Sequence, residues 1–100
     1  MIIRKHVLKK EILSVVNVRL DELKAEIDSY ADLIKTELPE HFTEDMGCSE
    51  VLDRLSEICE YVRIPENVEV YLKHMKVLVA RSEETIYMGK AILSALGLQD

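Results

Sequence analysis

One hundred residues, 48% apolar and 32% charged with a formal net charge of −6, fit one globular helical domain and exclude a disordered chain. One Phe, no Trp, three Gly and two Pro leave an aliphatic core of Leu, Ile, Val and Met and little material for connections. The charge is unevenly spread: residues 1–20 carry +4, residues 21–60 carry −10, and residues 61–100 balance. The acidic centre disfavours contact with a phosphate backbone and suits a basic partner.

From Leu13 the apolar residues advance by threes and fours through Val16, Leu20, Leu23, Ile27, Tyr30 and Ile34. Only an α-helix brings such positions onto one side, so the spacing predicts a helix over about 4–38. Pro39 ends it, because the residue before a proline is driven out of the helical region. The β-branched cluster Val15, Val16 and Val18 weakens this helix near Asn17. The stretch from Pro39 to Gly47 reads as a connection, with Thr43, Glu44 and Asp45 forming one turn.

A second helix is expected over about 49–63, opened by Ser49 as N-cap. Val51, Leu55, Ile58 and Val62 form its inner face, with Leu52 and Cys59 beside them. Ile64-Pro65 closes it. A third helix is expected over about 66–96, with Glu66 and Glu69 favourable to its dipole and Gly97 in the C′ position. The short connections make neighbouring helices antiparallel. The fold class is therefore all-α, a single domain over 1–100 forming a long–short–long three-helix antiparallel bundle completed by dimerisation.

The third helix holds more apolar surface than such a layer can cover. With Val68 at heptad position a, one broad face collects Tyr71, Leu72, Met75, Leu78, Val79, Ile86, Ile92, Leu93 and Leu96. Ser82 and Gly89 share the a position, where small side chains let another backbone approach. A second strip, Val70, Val77, Ala80 and Tyr87, lies on the far side. A helix apolar on two faces is normally covered on both, and an exposed strip of this kind marks an interface. A symmetric dimer is the commonest way to cover one.

The chemistries that leave short-range signatures are missing. His6, His41 and His74 stand far apart, and no metal-ligand spacing appears. No phosphate-binding glycine loop and no nucleophile elbow are present. Cys48 and Cys59 fit no Cys-x-x-Cys pattern, and Cys59 is expected as a small hydrophobe on the helix stripe. His74-Met75-Lys76-Val77 departs from the histidine phosphotransfer pattern of a lysine and then a glycine after the histidine, so His74 is expected at the edge of the core. The basic start Arg4, Lys5, Lys9, Lys10 is followed by no helix-turn-helix pattern. No cofactor, metal or catalytic residue is expected, no membrane span is long enough, and the start lacks the apolar run of a signal peptide, which makes the cytoplasm the default compartment.

The order of helix lengths resembles that of the helical chorismate mutases, and Asp53-Arg54-Leu55-Ser56-Glu57 gives a loose version of the acid–arginine–acid grouping of their short helix. That family gathers several arginines and lysines around a dicarboxylate, whereas Arg19, Lys24, Lys35 and Arg54 are spread through an acidic region here. The resemblance implies a small helical enzyme as one alternative. A second alternative is an acidic nucleic-acid mimic that blocks a nucleic-acid-binding enzyme. The reading carried forward is a non-enzymatic protein–protein interaction module: a small acidic helical adaptor, chaperone or inhibitor, of a kind that phages and mobile elements encode. Its contact strip is Val70, Val77, Ala80 and Tyr87, and its acidic surface is Asp21, Asp28, Asp32, Glu50, Asp53 and Glu57, with a homodimer expected and direct nucleic-acid binding not expected.

Overall fold

The computed structural model describes residues 4–98, so the outermost residues of the 1–100 domain reading lie outside it. Three helices form, α1 over Lys5–Glu37, α2 over Cys48–Ile58 and α3 over Glu66–Ala95, and no strand is present among the described residues. α1 is unbroken through Asn17, since packing along its length outweighs the modest cost of the valine cluster. It ends where expected, with Leu38 already outside the helical region before Pro39.

Both ends of α2 differ from the sequence expectation. It begins at Cys48 with Gly47 as N-cap and no side-chain cap, so Ser49 sits inside the first turn. It stops at Ile58, five residues before the expected 63, because the chain must swing over to reach Pro65. The amides of Tyr61 and Val62 both donate to the Ile58 carbonyl, making a last turn that leads into a bend. Val62 and Ile64 still pack on the core, which is why their spacing mimicked helix. Cys59, expected on the stripe, is exposed at the C-cap.

α3 ends in a Schellman motif. Gly97 has φ 67, its amide donates to the Ser94 carbonyl at 3.0 Å, and the amide of Leu98 donates to Leu93 at 2.7 Å. Leu98 then folds back and is buried.

α1 and α3 lie antiparallel along most of their length. Val16 meets Gly89 near one end, and Tyr30 meets Tyr71 and His74 further along, with ring centroids at 6.0 and 5.3 Å. The pair makes a rod of 61 × 21 × 21 Å with a radius of gyration of 18.3 Å, against about 13 Å for a compact domain of this length. α2 covers one half of the rod only. The core cluster of Ala31, Ile34, Phe42, Val51, Leu55, Ile58, Val68 and Met75 takes its α1 residues from the last third of that helix and its α3 residues from the first third. Ile34, Val51, Ile58 and Val68 are completely buried, each worth roughly 1.5–3 kcal/mol relative to exposure. The other half of the rod is a bare two-helix hairpin.

Lys35 ties the 38–47 connection to α1. Its side chain is only 15% exposed, reaches Asp32 at 3.2 Å, and its Nζ donates to the carbonyls of Glu44 at 3.1 Å and Met46 at 2.9 Å. Arg54 grips the same connection from α2, its Nε donating to the His41 carbonyl at 3.3 Å. Thr43 Oγ1 donates to the Asp45 carboxylate, a bond that lowers the Asp45 pKa, helped by the residue's own amide and by the Lys35 charge. Replacing Lys35 by Met should cost about 2 kcal/mol in chemical denaturation, since two charge-assisted bonds to partly buried carbonyls are lost. Amide hydrogen exchange should rise in residues 43–47 first; unchanged protection there would contradict the role given to Lys35.

Candidate protein interaction surface

The two-helix half of the rod carries most of the exposed large apolar side chains, with Leu33, Leu52, Tyr61 and Val70 exposed in the other half. Val15 on α1 is 69% exposed and Met88 on α3 is 51% exposed, with Val7, Leu13, Val18, Val79, Ile86, Ile92 and Leu96 also open. Val79, Ile86, Ile92 and Leu96 were expected in the core face of α3, and the structure corrects this. They continue the stripe of Val68 and Leu72, which join the core cluster that α2 helps build, but α2 is about 16 Å long beside an α1 of about 50 Å. Beyond its reach they stand exposed among the described residues.

An open groove of about 330 Å³ lies here between α1 and α3, lined by Val15, Val16, Arg19, Met88, Gly89 and Ile92 together with Arg81, Glu84 and Thr85. Gly89 is buried, and a Cβ placed on it would lie 2.8 Å from Val16 Cγ2. The missing side chain is what lets α1 and α3 approach here, as the small a-position residues suggested. A second shallow depression, lined by Glu26, Tyr30, His74, Val77, Leu78 and Arg81, shares Arg81 with the groove. His74 stacks on Tyr30 at an interplanar angle of 6°, at the edge of the core.

The strip read from the sequence is exposed. Val70 is 44%, Val77 49% and Tyr87 71% exposed, and Ala80 is open as well. None of them lies beneath α1 or α2, although Val77 borders the second depression. The acidic set lies elsewhere. Asp21 is exposed at mid-α1, Asp28 is half-buried, and Glu50 and Asp53 are exposed on α2. Asp32 pairs with Lys35, and Glu57 with Arg54 at 3.3 Å. The structure therefore places the α2 acids in the covered half of the rod, away from the open groove. Sequence reasoning missed Val15, Val18 and Met88. Comparing the length of α2 with that of its neighbours would have found them.

The basic residues of the chorismate-mutase-like layout do not converge on one cavity. Arg19 lies in the groove and pairs with Glu22 at 3.4 Å, while Lys35 and Arg54 hold the 38–47 connection. Among the described residues no group of three or more His, Cys, Asp or Glu side chains is placed to hold a metal ion, and no helix is long and apolar enough to cross a membrane. The chain matches no protein-family model, and no curated protein or solved structure is detectably similar to it.

Two outcomes follow for this region. Gly89→Ala should lower stability by about 1 kcal/mol in denaturant titration, because overpacking against the rigid Val16 costs roughly 1–3 kcal/mol and outweighs the gain of about 1 kcal/mol in helix propensity. Val16→Ala in the same chain should recover part of the loss, and a Gly89→Ala protein more stable than the parent would show that the helices do not touch there. The thiols should also differ. Burial pushes the Cys48 thiol up, and the nearby Asp28 charge adds to this, so less thiolate forms at neutral pH. A maleimide reagent should label Cys59 before Cys48 at pH 7.5, followed by peptide mass mapping; equal rates would contradict the half-buried setting of Cys48.

Proposed function

We propose that this chain is a non-enzymatic protein interaction module that works by docking the uncovered two-helix half of its rod on another helical surface. The single observation behind this reading is the gathering of the exposed aliphatic residues Val7, Leu13, Val15 and Val18 of α1, with Met88, Ile92 and Leu96 of α3, in the part of the hairpin that α2 does not reach, Leu33 alone among the large exposed aliphatics of α1 standing apart. Isolated exposed apolar residues are ordinary, but a contiguous set around a groove marks a contact site. Either a second copy or a different protein can supply the missing layer, as an adaptor, a chaperone or an inhibitor requires.

Val15, Met88 and Ile92 are the central contacts in this reading, with Tyr87 the largest side chain at the margin and a strong anchor by type. Val70, Val77 and Ala80 extend the contact along the outer side of α3. The charge around the open half refines the nature of the partner. Arg4, Lys5 and Lys10 stand exposed at its outer end, so the partner's surface is acidic there, while the acids Glu50, Asp53 and Glu57 serve a basic surface only at the far end of the rod.

A photo-reactive phenylalanine analogue in place of Met88, carried in the cells that make the protein, should yield a discrete cross-linked adduct. The same analogue in place of Glu60, exposed beyond α2, should yield little. Equal yields from the two positions would remove the interaction reading.

A further inference from the structure

We propose that the surface docked on the open half is a second copy of this chain laid antiparallel, so that two hairpins form a four-helix layer. This deepens the interaction reading and rests on it.

Charge selects the occupant and its direction. The exposed apolar residues Val7, Leu13, Val15, Val18, Met88, Ile92 and Leu96 share their end of the rod with Arg4, Lys5 and Lys10, and residues 1–20 carry +4. A partner settling on them must bring acidic residues, and a basic protein would meet like charge. The chain owns such a surface, since residues 21–60 carry −10 and begin at mid-α1, where the open half ends. A parallel pair would set basic tip against basic tip. An antiparallel pair sets each basic tip against the acidic stretch of the other copy, and complementary potentials of this kind fix orientation more than affinity.

The register follows from the groove. A two-fold axis at the level of Val16 and Gly89, where α3 lies directly against the α1 side chain, sets each residue of α1 opposite one equally far beyond the axis on the other copy. Lys10 then lies level with Glu22 of the partner copy, and Lys5 lies between its Glu26 and Asp28. Val15 and Met88 fall near the axis and meet their own equivalents, as an isologous contact requires. The size is adequate as well. The open part of the hairpin is about 30 Å long for some twenty residues and the rod is 21 Å wide. Two such faces bury roughly 1,200 Å², at the lower edge of specific interfaces.

Sedimentation equilibrium of the parent protein should give about twice the 11.5 kDa chain mass at roughly 100 µM, where any dimer with a Kd well below the mM range is populated. Two triple variants test the direction. One carries Arg4→Glu, Lys5→Glu and Lys10→Glu, and the other Glu22→Lys, Glu26→Lys and Asp28→Lys. Each alone should dimerise roughly tenfold more weakly, and their mixture should recover parent-like affinity as a heterodimer. A monomeric parent, or a mixture no tighter than either variant alone, overturns the proposal. If a variant loses its helical circular dichroism, disulfide trapping decides instead. In chains carrying Cys48→Ser and Cys59→Ser, Lys5→Cys should couple to Glu26→Cys on mixing, and coupling of Lys5→Cys to itself overturns the antiparallel pair. A monomeric parent whose Met88 probe still captures another protein ends self-pairing but keeps the interaction reading, whereas equal adduct yields from the Met88 and Glu60 probes end both.

Discussion

Two helices side by side bury little more than the line along which they touch, and a third element is needed to close the angle between them. In this chain the third element is α2, and it is far shorter than the hairpin it serves. That mismatch organises the molecule. Where α2 lies, Ile34, Val51, Ile58 and Val68 are sealed from water. Where it is missing, Leu23, Leu78 and Leu93 stay buried, while Val79, Ile86 and Ile92 stand partly in solvent. The fold is well packed at one end and open at the other because one helix runs out.

The open end holds together by close approach. Gly89 lets α3 lie directly against Val16, so the hairpin remains two helices in contact even without a roof. Dispersion between atoms in contact is short-ranged, and a hairpin held at this distance keeps its groove shaped without a ligand. At the opposite end the tightening devices are polar. Lys35 and Arg54 hold the connection by its carbonyls, which is the use a partly buried cation finds when backbone acceptors are otherwise unmet. Both ends are therefore ordered by their own contacts, and the uncovered apolar surface is presented on a fixed frame.

Electrostatics adds direction to that frame. The rod is basic where it is apolar and open, and acidic through its middle and where it is covered. An apolar groove alone accepts many surfaces, while its charged surroundings reject most of them. The acids of α2, conspicuous in the sequence, lie away from the open groove. Part of the charge of the acidic centre is engaged locally, Asp32 with Lys35 and Glu57 with Arg54, while Asp21 and Glu26 stand exposed along mid-α1.

The sequence by itself determined the helical class, the number and order of the helices, the end of α1 before Pro39 and the glycine cap of α3. Each depends on contacts within a few residues, which periodicity and dihedral restriction report directly. It also showed that α3 is apolar on more than one side. Only the tertiary structure decided which of those sides is covered. Val79 and Ile86 carry the same heptad letter as Leu72, which packs on the core, and no local rule separates them. The difference lies in how far α2 extends beside them, a distance set by where α2 stops and the chain turns back toward Pro65.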